Sequence, residues 1–292
     1  HRVDEPAADG EKLRRVSLPV ERPADWWRGV DGITYFYMRY PKQRNLGEGG
    51  EQNAPLGRAV IIQRDQDEKT SVVVAYDKTT GKEVWKTSRP VSISWSTPVF
   101  VEASGRTELV TNGTEYVIGY DAATGKELWR TKGVESNAIH APLVGSGLVV
   151  VTAGVPAKRI IAIRPGDQPE DKRVAWEYTK GTGYVLSNIL YKDQVYLSTD
   201  NGIITALDAR TGEGIYQGGR APKPTHFMGS AVAFDGMIAM TSEDGETILI
   251  KAGPKHEIVR INTVDEPVYS SAAIANGRIY IRGEKHLFAI GN

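Results

Sequence analysis

Short runs of β-branched and aromatic residues alternate with tight turns along almost the whole chain. Leu148-Val-Val-Val-Thr152, Val195-Tyr-Leu-Ser-Thr199 and Arg278-Ile-Tyr-Ile281 are clear examples. In several groups a turn dipeptide stands just before such a run, as with Ser146-Gly147, Asp235-Gly236 and Asn276-Gly277. A second turn, explicit in Asp200-Asn201-Gly202 and Asp244-Gly245, leads into the next apolar run. Such pairs accept the positive φ that two-residue hairpins require, so the pattern predicts antiparallel strands joined in sequence order. A small-residue segment opens each group: Asn53-Ala54-Pro55, Ser96-Thr97-Pro98, His140-Ala141-Pro142, Ser187-Asn188, Gly229-Ser230-Ala231 and Ser270-Ser271-Ala272. Each group therefore reads as a four-stranded antiparallel meander.

The groups recur at intervals of about 43 residues, the period expected of propeller blades. The clearest copies are Ala75-Tyr-Asp-Lys-Thr-Thr-Gly-Lys-Glu-Val-Trp85, Gly119-Tyr-Asp-Ala-Ala-Thr-Gly-Lys-Glu-Leu-Trp129 and Ala206-Leu-Asp-Ala-Arg-Thr-Gly-Glu-Gly-Ile-Tyr216. Weaker copies run from Ala162 to Trp176, with a Pro/Asp-rich insertion, from Leu249 to Val259, and over Phe288-Ala289-Ile290. In this anchor Asp77, Asp121 and Asp208 can accept backbone N–H groups across a turn that Gly81, Gly125 and Gly212 close in the left-handed region. Trp85, Trp129, Trp176 and Tyr216 recur at one position of the outermost strand, where a large ring can cover the seam between blades. The expected fold is an all-β propeller of about six four-stranded blades. The last repeat stops at its anchor, and Lys12–Val20 reads as the strand that completes it, which would leave no exposed edge. Residues 24–50 show no anchor and read as a cap, with a degenerate seventh blade as the alternative. The expected domains are residues 1–47, closing strand and cap, and residues 48–292, the propeller.

Charge and composition narrow the partners. Among 292 residues, 36 Lys and Arg balance 36 Asp and Glu, so no net field draws the chain to nucleic acid or an anionic membrane. Cysteine is absent, which excludes disulfides, thiolate metal sites, a lipidated Cys and covalent haem within this sequence. The longest apolar stretches fall far short of the roughly 18 residues of a membrane helix. The chain begins with His1 rather than Met, which fits removal of a secretory signal, and the expected location is periplasmic or secreted.

The Ala-x-Asp-x-x-Thr-Gly-x-x-x-Trp pattern resembles the tryptophan-docking repeat of the PQQ-like propellers of bacteria. That group includes quinoprotein dehydrogenases and BamB-type outer-membrane assembly lipoproteins, and the resemblance covers about residues 48 to 292. It implies the fold more directly than an activity. Quinoprotein dehydrogenases typically have about eight blades and a calcium-bound quinone, and many carry a vicinal disulfide, whereas this chain has room for about six blades and has no Cys. The BamB-like lipoproteins also carry more blades.

Binding residues on such scaffolds sit on loops positioned by rigid strands. The loops before the innermost strands supply Gln52 and Asn53, Trp95 and Ser96, Asn137 and His140, Tyr184 and Ser187, His226 and Met228, and Tyr269 and Ser270. Gln52, Asn53, Trp95, His140, Tyr184, His226 and Tyr269 are the candidate cup for a ligand or a protein partner. No metal site is expected: His140 and His226 lack companion ligands at close spacing, and the acidic runs Asp65-Gln66-Asp67-Glu68 and Glu243-Asp244-Gly245 read as solvated turns. His256 and His286 read as exposed. Gly47-Glu48-Gly49-Gly50 lacks the Lys-Ser/Thr of a phosphate loop. The leading functional expectation is a non-catalytic extracytoplasmic propeller that binds a protein or ligand at its mouth or is a subunit of a larger assembly, and needs no cofactor. A PQQ- and calcium-dependent alcohol or sugar dehydrogenase is the alternative, and a carbohydrate-binding or carbohydrate-processing propeller the third.

Overall fold

The computed structural model describes residues 59–291 apart from 136–137, 154–157 and 185. The expected closing strand Lys12–Val20, the cap at 24–50, and Gln52, Asn53 and Asn137 lie outside the described residues. Two compact units divide the rest, one ending at Lys180 and the other starting at Gly181.

The N-terminal unit holds three antiparallel sheets. The first is β1 (Ala59–Arg64), β2 (Val72–Asp77) and β3 (Glu83–Ser88). The second is β4 (Val99–Ala103), β5 (Arg106–Asn112), β6 (Tyr116–Asp121) and β7 (Glu127–Lys132). The third is β8 (Leu143–Gly145), β9 (Leu148–Ala153), β10 (Arg159–Ile163) and β11 (Val174–Tyr178), with one turn of helix, α1 (Glu170–Arg173), before its last strand. The C-terminal unit holds β12 (Ile189–Tyr191), β13 (Gln194–Ser198), β14 (Ile203–Asp208) and β15 (Gly214–Arg220) in one sheet. Its second sheet is β16 (Val232–Phe234), β17 (Met237–Thr241), β18 (Glu246–Lys251) and β19 (Ile258–Thr263), and its third is β20 (Ala273–Ala275), β21 (Arg278–Arg282) and β22 (Leu287–Ile290). In every sheet the strands lie in sequence order as a meander, and the fold is that of a β-propeller with the sheets as blades.

Burial explains why the middle strands read as unbroken apolar runs. Leu148–Ala153 is buried at every position, and Ile203–Asp208 at all four of its central ones, because neighbouring sheets cover both faces. Outer strands have one covered face and alternate instead, as in Glu83–Ser88. One seam core of the C-terminal unit joins Leu186, Tyr196 and Ile204 to Phe227, Met240 and Ile248. In the N-terminal unit Val101, Val117 and Trp129 meet Val149 and Ile161 in the same way.

The anchor turn is built by its aspartate. Asp77 Oδ1 accepts the N–H of Thr79 (3.0 Å) and Thr80 (2.7 Å) and the Thr80 hydroxyl (2.9 Å), and Asp121 and Asp208 repeat the arrangement. Gly81, Gly125 and Gly212 close these turns at φ +69, +71 and +74. Just beyond, the register slips by one residue at the same place in five blades, leaving Val84, Leu128, Ala175, Ile215 and Val259 bulged. The bulge turns the recurring aromatic across the sheet. Trp85, Trp129, Trp176 and Tyr216 then stand opposite Ala75, Gly119, Ala162 and Ala206. Small residues are needed there, since a Cβ on Gly119 would lie 2.1 Å from the Trp129 ring. In the fifth blade Arg260 faces Leu249 at this position, and no large ring is used.

The ring contacts differ between blades. Trp85 reaches the next blade, with Nε1 donating to the Ala122 carbonyl (3.2 Å) and its ring against Gly125. Trp129 instead donates to Glu108 Oε2 in its own blade (2.7 Å), and the same oxygen accepts the N–H of Gly166 from the next (3.1 Å). The insertion around α1 replaces the regular anchor turn there. Arg173 of α1 stacks over Trp129, 4.5 Å from the ring centre, and binds the carbonyls of Arg164, Gly166 and Gln168.

Trp129→Ala is expected to lose about 3–5 kcal/mol in urea unfolding, because a buried ring is removed and a cavity left. The exposed Trp95→Ala should stay within about 0.5 kcal/mol of wild type. Gly119→Ala should cost about 1–3 kcal/mol by overpacking, yet be harmless in the Trp129→Ala background. Equal midpoints for Trp129→Ala and wild type would show that the ring fills no seam.

Candidate functional site

In a meander the turn between second and third strands shares an end of the blade with the loop leading to the next innermost strand. This loop end carries the candidate residues, and backbone bonds fix it. In the C-terminal unit Phe227 N–H donates to the Asp200 carbonyl (3.1 Å), Glu243 N–H to His226 (2.9 Å), Val268 N–H to Glu243 (3.1 Å) and Glu284 N–H to Pro267 (2.9 Å). Every loop is thus pinned to a turn of the preceding or following blade. The loops are also pinned to one another: Ser187 N–H donates to Ser230 Oγ (3.1 Å), and Ser230 N–H to Ser271 Oγ (2.9 Å). Gly229 permits this approach, since a Cβ there would stand 2.5 Å from the Ser270 carbonyl oxygen. Asp200 additionally accepts the Tyr184 N–H (3.0 Å).

On this fixed backbone large side chains point to solvent. Tyr184 is 41 % exposed, Met228 45 % and Tyr269 60 %, and His226 is exposed between them in sequence. Phe227 turns inward, packing on Gly202, and Leu186 and Val268 are buried on the other two loops. The candidates Tyr184, His226 and Tyr269 therefore stand on three successive loops at one end of the C-terminal unit.

The N-terminal unit places its two described candidates differently. Trp95 is 40 % exposed beside exposed Ile93, and its N–H donates to the Ala138 carbonyl (2.9 Å). His140 is buried. Its carbonyl accepts Ser96 Oγ (2.8 Å) and Asn112 Nδ2 (3.4 Å), and its Nδ1 faces the Thr152 carbonyl at 3.3 Å, so the residue holds loops together from within.

Beneath Trp95 lies a polar cluster that the sequence reading missed. Ile61, Gln63 and Asp65 continue one buried strand face by period two. Asp65, expected in a solvated turn, is buried, and Arg89 Nε lies 3.1 Å from its Oδ1 with both side chains fully covered. Gln63 Nε2 donates to Asp65 Oδ2 (2.7 Å), Ser94 Oγ (3.1 Å) and the Asn112 carbonyl (3.1 Å), and Ser94 Oγ donates to Asp65 as well. The rest of that run, Gln66, Asp67 and Glu68, faces water, with Asp67 accepting N–H groups of Lys69 and Thr70. Burial pushes the Asp65 carboxyl above the usual range, against Arg89, Ser94 and Gln63, which hold it down. Burial likewise raises the neighbouring Tyr120 hydroxyl to about 12. His256 and His286, expected in solvent, are half-buried: His256 Nε2 lies 3.1 Å from the Arg220 carbonyl, and His286 Nδ1 lies 3.0 Å from Glu266.

Among the described residues no three or more His, Asp or Glu side chains converge as metal ligands. No described helix is long and apolar enough to cross a membrane.

A family model described as outer membrane protein assembly factor BamB matches residues 69–226, from the first blade to the loop carrying His226. The chain belongs to that family. It is thus a PQQ-like repeat protein of the BamB family. No curated protein sequence matches the chain. Among solved structures, BamB from Moraxella catarrhalis is similar with a TM-score of 0.61 at 15 % identity, over 80 % of this chain and 69 % of that one. Quinohemoprotein alcohol dehydrogenase from Comamonas testosteroni gives a TM-score of 0.51 at 15 % identity, over 80 % of this chain and 45 % of the enzyme. A europium-containing methanol dehydrogenase gives 0.55 at 12 % identity, over 78 % of this chain and 60 % of the enzyme. At these identities the likeness shows the fold, and the chain spans less than two thirds of either dehydrogenase.

The buried Asp65–Arg89 pair generates a pH-dependent expectation. Because the Asp65 carboxyl is raised in the fold, the stabilisation linked to it is complete below the ordinary carboxylate range and is lost as pH rises through the raised value. Arg89→Met strands a buried carboxylate at neutral pH and should cost about 3–5 kcal/mol there. The cost should shrink as pH falls through the raised Asp65 value, where the carboxyl takes a proton. A cost independent of pH in urea titrations would contradict this coupling.

Proposed function

We propose that this BamB-family protein is a non-catalytic, extracytoplasmic propeller that binds a protein partner through the loops preceding its innermost strands. The observation that carries the reading is the exposure of Tyr184, Met228 and Tyr269 in one unit, and of Ile93 and Trp95 in the other, on loops whose backbones are hydrogen-bonded in place. Large aromatic and thioether side chains presented on a rigid frame suit a protein interface, because little conformational entropy is lost on binding. The family description, an outer membrane protein assembly factor, supports a protein-binding role outside the cytoplasm. In this reading residues 48–292 form the propeller, residues 1–47 supply the closing strand and cap, and no cofactor is needed. The dehydrogenase alternative draws support from fold likeness alone, which does not carry activity.

The test is site-specific photo-crosslinking in the native host. A crosslinkable residue at Tyr184, Met228 or Tyr269 should trap the same partner, whereas one at Val84 on an outer strand should not. Equal trapping at all four positions would contradict a loop-end interface. In parallel, quinone with calcium should leave the melting temperature unchanged and give no dye reduction with alcohols or aldoses, since a ligand of the native state must stabilise it. A thermal shift accompanied by turnover would replace the binding reading with the dehydrogenase one.

A further inference from the structure

The loop end of the C-terminal unit carries a charge pattern that narrows the partner. The turns that pin its loops hold Asp200, Glu243, Asp244 and Glu284, one or two carboxylates on each of three successive blades. Asp200 and Glu243 each stand next to an exposed apolar side chain through the backbone. Asp200 binds the N–H of Tyr184, and its carbonyl holds Phe227, next to Met228. Glu243 is bonded to Val268, next to Tyr269, and Glu284 to Pro267. Asp244 and Glu284 are exposed, and Asp200 and Glu243 partly so. The described ion pairs at this end are Lys223 with Glu246 (2.9 Å) and His286 with Glu266 (3.0 Å). Arg282 and Lys285 flank Glu284 in its turn, so the cations Lys223, Arg282 and Lys285 of these loops and turns stand against Asp200, Glu243, Asp244, Glu246, Asp265, Glu266 and Glu284. Asp244 takes the Thr225 hydroxyl (2.9 Å), a bond that leaves its charge in place. Because the whole chain is neutral, this excess is local. At the opposite end the anchor turns mix signs, as with Arg210 beside Asp193 and Lys255 beside Glu257.

We infer that this face takes a basic segment of a partner protein, one in which Lys or Arg side chains accompany aliphatic residues. The inference rests on the proposed protein-binding reading and adds the chemistry of the occupant. A Lys or Arg stem packs along Tyr184, Met228 or Tyr269, its charged head meets the ring face or a neighbouring carboxylate, and aliphatic residues cover the rest of the apolar surface. Acidic partners are repelled by the same four carboxylates.

The test uses the full chain and three short fluorescent peptides of equal Leu content, with the remaining positions Lys, Ser or Glu. In anisotropy titrations the Lys peptide should bind about tenfold or more tightly than the Ser peptide, and the Glu peptide weakest of all. High salt, Glu243→Lys with Asp244→Lys, and Glu284→Lys should each erase most of that advantage. Tyr184→Ala with Tyr269→Ala should weaken Lys-peptide binding at least about fivefold while leaving the melting temperature near wild type. Equal binding of the three peptides, lost in the tyrosine variant, would overturn the basic-partner inference and keep the loop-end interface. Lys-peptide binding that survives both the tyrosine and the charge variants would overturn the interface as well. Binding of a neutral oligosaccharide, insensitive to salt and lost in the tyrosine variant, would replace the protein partner with a carbohydrate.

Discussion

The middle strands of the blades are apolar on both faces, and that constraint drives the rest of the structure. A sheet whose second and third strands are buried on each side cannot cover itself, so each blade within a unit depends on its neighbour. The seam needs flat, complementary surfaces, and the bulge after the anchor turn provides them by laying a ring across a small residue of the adjoining strand. Ala75, Gly119, Ala162 and Ala206 are small because Trp85, Trp129, Trp176 and Tyr216 lie opposite. Where the anchor turn is lost to the α1 insertion, buried Glu108 takes over the indole N–H and joins the two blades through Gly166.

Much of this was legible in the sequence. The Asp-x-x-Thr-Gly anchor encodes its own hydrogen bonds, because Asp77, Asp121 and Asp208 reach groups only two and three residues away. The aromatic position and the strand order follow from local period and turn chemistry in the same way. Contacts between residues far apart in sequence were not legible. Asp65 sits in an acidic run that reads as a solvated turn, and only the pairing of its loop with the one carrying Arg89 and Ser94 buries it. A signal existed in the alternation Ile61, Gln63, Asp65, which continues the inward face of a strand. Nothing in the repeat announces that Glu108 will receive Trp129, since the carboxylate and the insertion it bonds are 58 residues apart.

The candidate site was legible as a set of loops and less so as a set of side chains. Period and turn placement identify which loops share an end of the blade. They do not say which residue of a loop faces water, and so His140, three residues before β8 as buried Ser96 is before β4, turns out to be a buried clamp while Trp95, Tyr184 and Tyr269 project outward. The division of labour is physical. Serines, glycines and turn carbonyls tie the backbone, and the larger residues, relieved of that task, present a surface of fixed shape.

That fixed shape is the central claim, and amide hydrogen exchange at the loop end tests it most directly. The N–H groups of Ser187, Ser230 and Val268 should exchange nearly as slowly as those of β13 and β17, because each is bonded to a neighbouring blade. Exchange at the rate of open loops, with the strands still protected, would show that the loop end is not held and that its exposed aromatics form no prepared surface.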